Sequence, residues 1–165
     1  MKTSVSMKFA LALCCVLAVA ACSKKSTPDL LAANGGIGMA APGSAKDFEV
    51  NVGDRIYFAE DQSKLASEAK DTLLKQAAWL KQYSDVEVQI EGHADERGTR
   101  EYNISLSARR AAAAKDFLIS QGVESSRIST IAYGKERPAE LCDSEQCWSQ
   151  NRRAVTVITG GAKTS

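Results

Sequence analysis

The chain has 165 residues, with 21 Lys and Arg against 20 Asp and Glu, a formal net charge of +1, 44% hydrophobic residues and 25% charged ones. That is the composition of one globular domain with appendages. The near-neutral balance, without a basic stripe, argues against nucleic acid as a partner. No internal repeat is present, so any charged ligand has to be met by a local cluster of side chains.

The amino-terminal segment bears on the compartment. Lys2 and Lys8 precede an apolar run, residues 9–21 (FALALCCVLAVAA), that is too short to span a bilayer comfortably and has the form of a secretory signal. It ends in Val19-Ala20-Ala21-Cys22, followed at once by polar Ser23-Lys24-Lys25. Small residues before a cysteine resemble a bacterial lipobox, so residues 1–21 are expected to be removed and Cys22 to carry diacylglycerol and an N-acyl chain. Several acyl chains anchor firmly, each buried CH₂ contributing about 0.8 kcal/mol. Ser rather than Asp at position 23 follows the sorting pattern for the outer membrane, on its periplasmic face. Removal of Lys2 and Lys8 leaves 19 basic residues against 20 acidic ones, a net charge of about −1.

Residues 23–48 are rich in Ala, Gly, Ser and Pro and show no sustained period. Together with the lipidated Cys22 they read as a flexible linker over 22–48, with a reach of roughly 25–30 Å and an extended limit of roughly 80–90 Å. A single domain is expected over 49–161, with 162–165 as a tail. Val50, Val52, Ile56 and Phe58 suggest a first strand near 50–58. Leu65, Ala69, Leu73, Ala77 and Leu80 fall on one face of a helix over 65–82, with Ser67 placed to cap it. Val86, Val88 and Ile90 alternate with Glu87, Gln89 and Glu91, the pattern of a half-buried strand that Gly92 ends. Leu106, Ala111, Ala114 and Leu118 predict a second helix over 103–121, stopped at Gly122. Strands follow at 128–133 and 154–159, with a loop or short helix between them. The predicted fold class is α/β (α+β): a two-layer sandwich with a mixed four-stranded sheet and helices on one face.

The stretch GHADERGTREYNISLSARRA, residues 92–111, follows the second strand and holds the chemistry. His93, Asp95 and Glu96 sit on a loop at a strand end, where functional residues commonly lie. Seven residues of helix turn about 700°, so Asn103 and Arg110 share a face and Arg109 points about 100° away. An acidic loop beside an amide and a guanidinium suits a ligand carrying an ammonium and a carboxylate, such as diaminopimelate in peptidoglycan. Asp95 would take the ammonium and Arg110 the carboxylate, with Thr99, Tyr102 and Asn103 fixing orientation. The alternative is an internal Asp95–Arg110 ion pair on a solvated surface, worth roughly 0–1 kcal/mol. Catalysis is the competing class. The chain has one His, where zinc sites commonly use several, and none of the hydrolase, Walker or zincin motifs is present. The expectation is therefore no enzyme, no metal and no cofactor beyond the lipid.

Asn103-x-x-Leu106-Ser107-x-x-Arg110-Ala111 resembles the signature of the OmpA-like, peptidoglycan-binding family. Residues 92–103, Tyr133-Gly134-Lys135-Glu136-x-Pro138 and Asn151-Arg152-Arg153-Ala154-Val155 are similar to its branch of wall-associated lipoproteins of the Tol system. The resemblance covers about residues 49–160. It implies non-covalent binding of the wall's stem peptide through diaminopimelate. Asp95 and Arg110 would be the principal ligands, Asn103 falls on the motif, Thr99, Tyr102 and Leu106 line the groove, and Arg152 is the basic residue of the late motif. Phe58 and Asp61 also match, although Glu60 stands where the branch often has an aromatic. The resemblance further implies TolB as a partner competing for an overlapping surface, other Tol components, and a role in envelope attachment during division. A wall-binding lipoprotein outside the Tol system is the alternative. Flagellar stators carry an uncleaved membrane helix, and OmpA-type porins need a barrel for which 48 residues leave no room. Cys142 and Cys147 depart from the family pattern; in an oxidising compartment a disulfide across this loop is expected, with two thiols or a bound metal as alternatives.

Overall fold

The computed structural model describes residues 40–164. The signal segment, Cys22 and the linker up to residue 39 lie outside the described residues. Packed structure begins earlier than the sequence suggests. Ser44 caps a short helix, α1 (Ala45–Asp47), which continues as a π-helical turn over Phe48–Gly53. The predicted first strand therefore shrinks to β1 (Arg55–Tyr57). The alternation of Val50 and Val52 is misleading because Val50 is half exposed, while Phe48, outside the predicted strand, is the buried anchor and packs edge-on against Trp79 at 4.9 Å. Gly53, at φ +94°, turns the chain from helix into strand. The expected tail is also tied down: Ser44 bridges to Lys163, and the Lys163 amide donates to the Gly43 carbonyl at 3.0 Å.

The remaining elements follow the predicted order. They are α2 (Ser67–Gln82), β2 (Glu87–His93), α3 (Arg100–Ser120), a 3₁₀ turn (Ser125–Arg127), β3 (Ile128–Gly134), α4 (Glu145–Asn151) and β4 (Arg153–Gly160). Ser67 does not cap α2. Ala66 occupies that position without a side-chain bond, and the Ser67 hydroxyl donates to Glu68 instead. Thr99 is the true cap of α3, its Oγ1 accepting from the Tyr102 amide at 3.2 Å.

The sheet order is β1-β4-β2-β3, with β2 and β3 parallel and β4 antiparallel to both its neighbours. The last strand thus enters the middle, where pairing on both edges satisfies its backbone. Ile56, Val88, Ile90, Ile128 and Ala154 pack with Leu73, Ala77 and Leu80 of α2 and Ala111, Ala114 and Leu118 of α3 in one core. Each large aliphatic side chain buried there contributes about 1.5–3 kcal/mol. Gln76, buried in α2, donates to the Gly53 carbonyl at 2.7 Å and accepts from Thr156 Oγ1 at 2.9 Å, locking the π-helical turn, α2 and β4 together.

Two features place the amino end of α3 against the end of β2. A Cβ on Gly92 would stand 1.9 Å from the Ser107 carbonyl oxygen, so only glycine permits this approach. Ser107 Oγ then accepts from the Gly134 amide at 2.9 Å, tying α3 to β3 at the same level.

Candidate functional site

The loop after β2 and the first two turns of α3 face the loop after β1 across a groove of about 280 Å³. Its lining is Glu60 and Asp61 from the β1 side, Asp95, Arg97 and Gly98 from the β2 loop, and Tyr102, Asn103 and Leu106 from α3. Three carboxylates converge on one open cavity, a concentration of acceptors for a cation.

Asp95 is almost buried, with 7% of its surface exposed. Burial pushes its carboxyl up, but hydrogen bonds from Arg97 and Arg152 outweigh that and hold it below its ordinary value. Asp61 has a left-handed backbone at φ +54°, a conformation Asp tolerates better than most residues and one found at functional turns. It accepts a hydrogen bond from the Tyr102 hydroxyl, which raises the Tyr102 pKa. Asn103 is buried beneath the groove and donates to the Arg97 carbonyl at 2.8 Å, fixing the loop. Leu106 supplies an apolar floor and Tyr102 a half-exposed aromatic rim.

Arg110 is placed differently from the expectation. It has no exposed surface, and its guanidinium donates to three backbone carbonyls: Gln62 at 2.8 Å, His93 at 2.8 Å and Ala59 at 3.2 Å. It lies 5.2 Å from the Phe58 ring, and burial draws its pKa down to about 10 although Asp95 opposes the shift. In this state Arg110 does not offer an open edge for a carboxylate, nor does it form the surface ion pair with Asp95. The helical phase is as predicted, since Asn103 and Arg110 do share a face and Arg109 is exposed. That face also carries Leu106 and is turned inward, so Arg110 latches the β1 loop to the end of β2. Phe58 is buried below this latch and contributes its carbonyl to Arg152.

Arg152 is also buried. Its Nε donates to Phe58 O at 3.1 Å, and Nη1 reaches Asp95 at 3.3 Å and Glu145 at 3.2 Å. Hydrogen bonding to Arg152 holds Glu145 below the ordinary carboxylate range. Of the expected residues, Asp61, Asp95, Tyr102, Asn103 and Leu106 line the groove, while Thr99, Phe58, Arg110 and Arg152 support it from outside the lining.

Arg97 and Trp148 are not among the residues expected from sequence, and Glu60, noted there only as a departure from the branch pattern, lines the groove. Arg97 Nη1 reaches Glu60 at 2.9 Å and its guanidinium stacks 4.2 Å from the Trp148 ring, whose Nε1 donates to Glu96 at 2.9 Å. Trp148 lies on α4, which the Cys142–Cys147 disulfide staples, with a Cα–Cα distance of 5.6 Å. The signal available in sequence was the unusual acid at 60 and an aromatic beside the late Asn-Arg-Arg motif. His93 flanks this site but does not enter it. It is buried against Tyr133, and burial is the main cause lowering its pKa to about 4, with the charge of Arg153 adding to it and a backbone hydrogen bond at Arg137 opposing it.

The family described as OmpA matches residues 57–153. A peptidoglycan-associated lipoprotein of Mesorhizobium japonicum is 59% identical over 152 residues, covering 91% of this chain and 90% of that one. The chain belongs to the OmpA family, in its branch of peptidoglycan-associated lipoproteins. The corresponding lipoprotein of Brucella melitensis is 56% identical over 156 residues, 93% of each chain. The crystal structure of the peptidoglycan-associated lipoprotein from Burkholderia pseudomallei superposes with a TM-score of 0.63 at 35% identity, covering 64% of this chain and 90% of that one. The carboxy-terminal domain of Helicobacter pylori MotB shares the fold alone, at 20% identity and a TM-score of 0.61. The family's members are structural proteins and not enzymes, and a binding groove, not a reaction centre, is what the geometry has to explain.

Proposed function

We propose that the chain is an outer-membrane lipoprotein, anchored through acylated Cys22 on the periplasmic face, that grips peptidoglycan non-covalently through the diaminopimelate of the stem peptide. The observation carrying this reading is the convergence of Glu60, Asp61 and Asp95 on one open groove with an apolar floor and an aromatic rim. Such a groove accepts an ammonium and covers the methylenes behind it. The amino end of α3 borders the groove, and its helix dipole favours the accompanying carboxylate there. Arg110 and Arg152 act as positioning residues, holding the two acid-bearing loops in register.

The polarity of the domain supports the same reading. The chain enters at Gly43–Ser44, beside Lys163 and the end of β4 that pairs with Glu87 at the start of β2. The groove follows His93 at the other end of β2, a strand length of roughly 20 Å away. The first described residues and the groove thus lie at opposite ends of the sheet, an arrangement suited to a domain that faces the wall. On this reading the protein joins outer membrane to wall as part of the Tol system, with TolB a competitor for the groove surface and co-purification with TolB the check on that part.

The decisive experiment compares sedimentation with walls containing diaminopimelate and walls containing lysine, which has the ammonium but not the second carboxylate. Retention on the first and loss on the second is expected, with Asp95→Asn losing both. Equal retention of wild type and Asp95→Asn on both walls refutes the groove as the binding site.

A further inference from the structure

A carboxylate offers about four acceptor positions on its two oxygens, and in Asp95 all of them are occupied. Oδ1 accepts from the Arg97 amide at 3.2 Å and Arg97 Nε at 3.3 Å, while Oδ2 accepts from Arg97 Nη2 at 2.8 Å and Arg152 Nη1 at 3.3 Å. An incoming ammonium can reach Asp95 only if one of these donors leaves. The Arg97 amide belongs to the loop itself. Arg152 is fixed by Phe58 and Glu145, with 6% of its side chain exposed. The Arg97 side chain is the exception, with 33% exposed, and it reaches Asp95 from within the groove it lines.

We propose that Arg97 is an exchangeable internal ligand: its guanidinium holds the ammonium seat on Asp95 and is displaced when the wall's diaminopimelate enters. This rests on the wall-binding reading above and adds to it a competitor within the chain. The displaced group has somewhere to go, because Glu60 sits at the groove rim with 65% of its side chain exposed and can keep its pairing with Arg97 as the guanidinium swings outward. The exchange also accounts for charge. Glu60, Asp61 and Asp95 are three anions in a lining with one cation, the partly exposed Arg97, and an arriving ammonium replaces that cation at Asp95 while Arg152 keeps the buried carboxylate paired. Arg97 therefore discriminates among ligands. A lone weak cation does not repay its displacement, whereas an ammonium backed by a carboxylate and methylenes on Leu106 does.

The test uses the lipidated full chain in detergent micelles, titrated with the tripeptide L-Ala-γ-D-Glu-meso-diaminopimelate. Arg97→Gln removes the competing charge and is expected to tighten binding about two- to fivefold, the range of a partly exposed ion pair. A second measurement follows the exchange in the unsubstituted protein. Arg97 leaving the Trp148 ring changes tryptophan emission on ligand addition; Trp79, the other tryptophan, packs against Phe48 and Tyr83, away from the groove lining. That change is expected to vanish in both Trp148→Phe and Arg97→Gln. Unchanged or weaker binding by Arg97→Gln, or an emission change that survives in it, overturns the exchange. Asp95→Asn separates the two levels. If it loses binding while Arg97→Gln does not tighten, the exchange alone falls; if it binds as the unsubstituted protein does, the groove reading falls with it.

Discussion

Replacing Arg110 with Ala separates a latch from a ligand. The structure gives Arg110 three charge-assisted bonds to the carbonyls of Ala59, Gln62 and His93, at 3.2, 2.8 and 2.8 Å. Bonds to a charged group contribute about 1.5–3 kcal/mol each. Ala59 and Gln62 are exposed residues whose carbonyls water can reach after the change, whereas His93 is buried, so the three do not simply add. A loss of about 3–5 kcal/mol is expected, in the range for breaking a buried charged network. That is a large share of the 5–15 kcal/mol typical of a domain. Urea unfolding followed by circular dichroism reads it directly as a lower midpoint at unchanged slope. Arg110→Lys keeps the charge but cannot span three carbonyls, so it should recover only part of the stability. Arg109→Ala, on the exposed face, should stay within about 0.5 kcal/mol of the parent. A stability loss below about 1 kcal/mol in Arg110→Ala, combined with lost wall binding, would mean that Arg110 serves the ligand and not the loops, and the latch would be wrong.

Acid titration should expose His93. Its pKa is about 4 in the fold against about 6.5 unfolded, so between these values the unfolded chain binds the extra proton and stability falls as pH drops. The penalty approaches about 3 kcal/mol near pH 4 and is absent above about pH 6.5. His93→Phe should flatten the profile between pH 7 and 4.5 relative to the parent, and parallel profiles would refute the burial argument. Replacing Cys142 and Cys147 with Ser opens a small loop, which should cost about 2 kcal/mol and lower the melting midpoint by about 6–12 °C. No shift relative to the oxidised parent, measured without reductant, would show that the staple does not stabilise the domain.

Periodicity in sequence is a record of burial, and it served where burial is set by one element alone. Ala69, Leu73, Ala77 and Leu80 marked the inner face of α2, and Val88 and Ile90 the inner face of β2, as the core confirms. The residues at 50–58 misled because Val50 and Val52 alternate without Val50 being buried, and a short helix anchored by Phe48 won over the strand. In α3 the phase relating Asn103 to Arg110 was legible, and Leu106 between them already signalled an inward face; a polar edge was read where a buried latch stands.

By itself, then, the sequence determined the order of helices and strands after β1, the family signature, and the place of Asp95 on the loop after β2, because these rest on neighbours within a few residues. Tertiary structure alone decided that β4 lies in the middle of the sheet, that Arg110 spends its guanidinium on the carbonyls of residues 59, 62 and 93, and that Arg97 reaches Glu60. Those outcomes depend on groups 17 to 51 residues away from Arg110 and on Glu60, 37 residues from Arg97. A hydrogen bond has no reach along the chain, only through space, so its partner is fixed when the core brings distant segments together.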